Sequence, residues 1–208
     1  MKVYQTEEEQ VEAIKKWWKE NGLSVVAGLV IGLGAVFGWQ AWNSYQDRIG
    51  QEASVAFYQM LNAVDNQNPE LAGKQADLLR ADYASTNYAV LAAMTEARLK
   101  VEAGDTKAAR TQLEWARQNT ADDSLKTLAQ LNLARLLLSD GDIDGASVLA
   151  AVDKGGFAGE FAELRGDIAV AKKELSAARD AYTQALALNV GNPEMVQMKL
   201  DDLAIATP

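Results

Sequence analysis

ARLKVEAGDTKAA, residues 97–109, begins with a small residue, breaks at Gly104-Asp105 and reaches another small residue twelve positions after the first. ARLLLSDGDIDGA (134–146) and GDIAVAKKELSAA (166–178) follow the same plan. Ala97, Ala134 and Gly166 therefore pair with Ala109, Ala146 and Ala178 across three turns. A small side chain at matching levels of two helices lets a helical hairpin close tightly, and this spacing is the core of the tetratricopeptide pattern. The third copy continues with Tyr182 and Ala185 at the aromatic and small positions of a second helix, although its turn is Lys173-Glu174. The stretch predicts an all-α fold, a tetratricopeptide-like solenoid of antiparallel helix pairs.

Working outward, the apolar period is helical almost everywhere beyond residue 45, and no alternating run reads as a strand. Breaks fall at Asn68-Pro69, Gly104-Asp105, Gly141-Asp142, Gly155-Gly156 and Asn192-Pro193. Asn before Pro caps a helix whose first residue is proline. Gly before Asp ends one helix in a left-handed turn and caps the next. About eight short helices are expected from this punctuation. Residues 52–84 are expected to add a helix pair, and Pro193 to Ala204 a closing helix.

Toward the N-terminus the character changes. Residues 23–42, LSVVAGLVIGLGAVFGWQAW, hold no charged side chain. As a helix they would measure about 30 Å, the thickness of a bilayer's hydrocarbon core. Trp17, Trp18, Trp39 and Trp42 flank the run as interfacial anchors would. Glycines that weaken a helix in water are tolerated in lipid, where backbone hydrogen bonds close internally. The long leader and the bulky exit residues favour an uncleaved signal anchor over a cleaved signal peptide. Lys15, Lys16 and Lys19 precede the run and Arg48 follows it. That asymmetry predicts residues 1–22 in the cytoplasm, 23–42 in the membrane and 43–208 outside, which is the periplasm of a Gram-negative bacterium.

Gly28 with Gly32, and Gly34 with Gly38, form two G-x-x-x-G steps that would let another membrane helix approach; plain lipid-facing glycine is the alternative. Ahead of the run, Thr6 to Asn21 reads as a short amphipathic helix. Glu7, Glu8, Glu9 and Glu12 come before the three lysines, and Val11, Ile14, Trp17 and Trp18 share a face.

The chain has no Cys and no His, which removes thiol and imidazole chemistry and zinc sites built on them. Its formal net charge of -9 and lack of a basic cluster argue against nucleic acid. The acidic surface favours cationic partners or serves solubility. No small-molecule substrate, cofactor, metal site or catalytic residue is expected, and an enzyme is the least favoured reading.

QVEAIKKWWKENG (Gln10 to Gly22), GWQAWNSYQ (Gly38 to Gln46) and MVQMKLDDLAI (Met195 to Ile205) resemble the YfgM family, ancillary subunits of the bacterial SecYEG translocon. The resemblance covers nearly the whole chain. It implies a single-pass inner-membrane protein with a periplasmic repeat domain, associated with the SecYEG translocon and with the membrane-anchored chaperone PpiD. It further implies a role in passing secretory client proteins to periplasmic chaperones. A scaffold for a cell-wall or outer-membrane assembly is the alternative, although such repeat proteins are often lipoproteins and this chain has no Cys for a lipid anchor.

Overall fold

A computed structural model describes residues 7–151 and 155–205. Among these the fold is all α, without strands: α1 (Glu7–Asp65), α2 (Pro69–Asp82), α3 (Asn87–Glu102), α4 (Thr106–Gln118), α5 (Asp123–Ser139), α6 (Ile143–Ala150), α7 (Ala158–Ala171), α8 (Leu175–Ala187) and α9 (Pro193–Ile205). A single 3-10 turn, Gly155–Phe157, precedes α7. The residues form two compact units, one up to Ile49 and one from Gly50 onward. Thr6, the expected start of the pre-membrane helix, lies outside the described residues, as do the side chains of Glu7 and Glu8.

The helix ends follow local chemistry. The Asn68 side chain accepts from the Leu71 amide at 3.0 Å, Asp105 from Ala108 at 3.0 Å, and Asp142 from Gly145 at 2.9 Å. Each satisfies an amide that a first helical turn leaves without a partner. Gly104 (φ +79°) and Gly141 (φ +84°) close the preceding helices in the left-handed region. Lys173 adopts that conformation too, with φ +63°.

Two further breaks are set by a threonine and an aspartate cap rather than by a glycine or Asn-Pro. Residues 83–86 separate α2 from α3, with Thr86 as the cap, and residues 119–122 separate α4 from α5. At the second, the Asp122 side chain accepts from both Ser124 and Leu125. Beyond the long α1, eight short helices are described, the number the punctuation suggested.

From Gly50 onward the hairpins are α1–α2, α3–α4, α5–α6 and α7–α8, with α9 closing the series. The core passes from pair to pair. Ala53, Met60 and Leu79 pack with Ala89 and Ala92, and Leu113, Leu131 and Leu137 with Phe161 and Leu164. Tyr182, Val190 and Val196 pack with Ala162 at the C-terminal end. Each pair buries its apolar face on its neighbour, as repeat architectures require. Alanine dominates these contacts, so the helices approach closely. The first helices of successive pairs, α3, α5 and α7, also touch one another.

One buried charge helps hold the early pairs. Glu96, 6% exposed, faces Arg80 at 3.2 Å across α2 and α3. Arg80 also donates to Asp77 on its own helix and to Gln112 on α4. Burial raises the Glu96 carboxyl above its ordinary value, although Arg80 pulls the other way.

Candidate functional site

The side formed by α3 and α5 holds a groove of about 530 Å³. Its apolar wall is made by Phe57, Leu91, Met94, Leu113, Leu128 and Leu136. Helical spacing aligns these residues: positions 91, 94, 98 and 101 face the groove from α3, and 128, 132, 135 and 139 from α5. The polar lining consists of Thr95, Arg98, Asn132, Arg135 and Ser139, with no carboxylate. The groove thus offers apolar contact and a few hydrogen-bond donors, the mixture expected of a ligand-binding site.

Arg98 follows Ala97 and Arg135 follows Ala134, so they occupy equivalent positions in consecutive repeats. The next repeat reverses the charge, with Asp167 after Gly166. There α9 intervenes. Lys199 Nζ lies 2.7 and 2.9 Å from the two oxygens of Asp167 and 2.8 Å from Glu163 Oε1. The Tyr182 hydroxyl donates to Asp167 at 2.8 Å, and Arg135 Nη2 lies 3.5 Å from Glu163 Oε2. Burial draws the lysine's pKa down, but the hydrogen bonds to Asp167 and Glu163 outweigh it and hold the pKa above normal. Burial and the Asp167 bond raise the tyrosine's pKa strongly. Among the described residues no cluster of three or more acidic side chains could hold a metal ion.

The six small repeat residues all lie in the interior. Ala97, Ala109, Ala134 and Ala146 share one core cluster, and Ala178 belongs to the C-terminal one. Gly166 packs under the Tyr182 ring.

A family model for a tetratricopeptide repeat-like domain matches residues 15–205. The chain is 33% identical to the "Ancillary SecYEG translocon subunit" of Escherichia coli (strain K12), over 99% of this chain and 100% of that one. The chain belongs to the ancillary SecYEG translocon subunit family. It is 32% identical to the Haemophilus influenzae protein of that name, over 95% of this chain and 97% of that one, and 28% identical to the Neisseria gonorrhoeae one, over 98% and 100%. No solved structure gives a significant match. The relatives' names and the repeat-like fold describe an interaction subunit rather than a catalyst.

In this family member the N-terminal unit contains a helix long and apolar enough to cross a membrane. Leu23, Leu29, Val30, Ile31, Val36 and Phe37 are exposed along it. Trp17, Trp18, Trp39 and Trp42 are also exposed, each by more than half. Trp17 and Trp18 lie 6.5 Å apart between ring centroids, and Trp18 covers Gly22. A Cβ at Gly28, Gly32, Gly34 or Gly38 would meet nothing within 4 Å, so the described chain does not itself require these glycines. At 3.6 residues per turn, the Gly28–Gly32 and Gly34–Gly38 steps are offset by about 120° around the axis. One straight partner helix cannot use both.

No sequence motif marks the groove. The equal placement of Arg98 and Arg135, each directly after a packing alanine, was the signal that could have found it.

Proposed function

We propose that this chain is a membrane-anchored interaction subunit of the SecYEG translocon, which helps pass secreted proteins to periplasmic chaperones. The observation that carries the reading is the similarity to named translocon subunits over almost the whole chain, including both the apolar helix and the repeats. Residues 23–42 serve as the anchor, residues 1–22 lie in the cytoplasm and residues 43–208 in the periplasm. Three lysines just before the anchor against one arginine soon after it support that orientation. The four tryptophans mark the two interfaces. One of the glycine steps seats a translocon or PpiD helix. Tethering raises the local concentration of the repeats near an emerging chain to about the millimolar range, so weak contacts suffice.

Crosslinking from the 23–42 helix and from the α3–α5 groove in native membranes tests the association. Translocon components are expected from the helix, and secretory chains or PpiD from the groove; absence of all of them rejects the reading. Because the chain has no cysteine, single cysteines at Asn21 and Asn43 can report orientation through a membrane-impermeant maleimide. Labelling from the periplasm is expected at Asn43→Cys alone, and the reverse result overturns the topology.

A further inference from the structure

We propose that the entry to the apolar helix is a binding site for an anionic phospholipid, whose phosphate is received by Lys15, Lys16 and Lys19. The inference rests on reading residues 23–42 as a membrane anchor and adds which lipid that anchor selects.

The helix is unbroken from Glu7 through the apolar run, so its geometry fixes where each side chain stands. At 3.6 residues per turn, the three lysines fall within an arc of about 100° around the axis. Leu23, Val26, Val30 and Phe37 continue the same arc into the apolar run. All four are exposed, Leu23 by 87%. The strip therefore matches a phospholipid in outline, with a charged end and an apolar length beyond it. Trp18 borders the strip, its ring resting on Gly22. The Gly28–Gly32 step lies on the opposite side of the helix, so a lipid here does not cover it.

Depth agrees with this match. Lys19 stands about 6 Å before Leu23, within a headgroup layer of about 5–7 Å. Lys15 and Lys16, about 10–12 Å out, can bend their stems back toward that layer. The acids are placed away from it. Glu12 and Glu9 stand about 16 and 21 Å out, and Glu20 projects about 100° away from Lys19.

The lysines are also available. Glu12 stands one turn before Lys16 and Glu20 one turn after it, yet among the described residues none of the three lysines forms an ion pair. In a chain with a formal net charge of -9, they are three exposed cations on one face, open to an anion from outside. The far end of the run offers nothing comparable. Asn43 to Gln46 carry no charge, and Arg48 follows Asp47 and lies over the Tyr45 ring at 5.7 Å. That difference places the preference at one face of the bilayer.

The test uses the full chain in phosphatidylcholine bilayers doped with spin-labelled phosphatidylglycerol or spin-labelled phosphatidylcholine. The fraction of label immobilised by the protein measures how well each lipid is held. Phosphatidylglycerol should be held about fivefold better, the worth of one lysine at an anionic surface, and the excess should shrink as salt is added. Replacing Lys15, Lys16 and Lys19 together by Gln should remove the preference, and replacing them by Arg should keep it. Arg48→Gln should leave it unchanged. Circular dichroism confirms that each variant is folded. Equal retention of the two lipids by the natural chain, a preference that survives the triple Gln variant, or the same loss in Arg48→Gln would each overturn the proposal. Displacement of the labelled lipid by millimolar inorganic phosphate would overturn it too, by making the lysines a site for a free anion. Resistance to carbonate extraction from the vesicles is scored separately. A chain that resists extraction without preferring the anionic lipid keeps its anchor and loses the lipid site; a chain that is extracted defeats the anchor reading itself.

Discussion

The Tyr182 ring rests on Gly166: a Cβ at that glycine would stand 2.3 Å from the ring's Cε1. Tyr182 is 2% exposed, and its hydroxyl is tied to Asp167 on the glycine's own helix. The ring therefore cannot swing aside without breaking that bond. Two of the repeat's signature positions thus meet directly, and the small residue at 166 is required by the aromatic one at 182.

Gly166→Ala should destabilise the repeat unit despite alanine's better helix propensity. The propensity gain is about 1 kcal/mol, while overpacking a closed interior costs about 1–3 kcal/mol or more. The melting temperature of the full chain, followed by circular dichroism, should fall by several degrees. A variant as stable as the natural chain would show that the ring is not held as described.

Lys199→Met keeps most of the aliphatic stem and removes the charge, leaving Glu163 and Asp167 close together without their shared cation. A double-mutant cycle with Asp167→Asn should return a coupling of about 1 kcal/mol. Additive effects would mean that the contact contributes nothing to stability.

Lys173 performs with a side chain the left-handed turn that Gly104 and Gly141 perform without one. A non-glycine residue pays about 1 kcal/mol for that conformation. Lys173→Gly should therefore stabilise the chain by up to about that amount, seen as a higher denaturant midpoint. A lower midpoint would refute the assignment of strain.

Glu96 gives the stability a pH dependence of unusual sign for a carboxylate. Burial raises its folded pKa above the ordinary carboxylate value. Its favourable contribution is therefore complete below the unfolded value and is lost as pH rises through the folded one. Glu96→Gln removes this titration and leaves Arg80 its bonds to Asp77 and Gln112. The stability of Glu96→Gln relative to the natural chain should rise as pH climbs from the unfolded carboxylate's titration through the folded one. A difference that stays flat or falls contradicts the burial argument.

Gly34→Leu with Gly38→Leu should abolish recovery of the membrane partner in gentle detergent, because leucine holds helix backbones apart. Since the other glycine step lies on a different face, Gly28→Leu with Gly32→Leu serves as the comparison. Unchanged recovery from both pairs would assign the glycines to lipid.

Much of the fold was legible because its signals are local. Asn68-Pro69 and Asn192-Pro193 start α2 and α9, while Gly104-Asp105 and Gly141-Asp142 turn two hairpins, each through chemistry within a few residues. The expected helix pair at 52–84 ends in the Tyr83–Thr86 break, whereas Asn119–Asp122 was not legible as a turn, because an aspartate cap is a common residue that also occupies exposed helix faces. The groove was not legible as a site. Arg98 and Arg135 look like ordinary surface charges until hairpin stacking sets α3 beside α5.

By itself the sequence determined an all-α chain, its repeat spacing and an apolar helix long enough for a bilayer, since periodicity and capping act over a single turn and hydrophobic length over a single run. Tertiary structure alone decided that Lys199 meets Asp167 across 32 residues, and that two arginines line an apolar groove in an acidic protein. Those relations depend on how far each helix pair is displaced against the next, a quantity set by the packing of Ala134, Gly166 and Tyr182 rather than by any one segment.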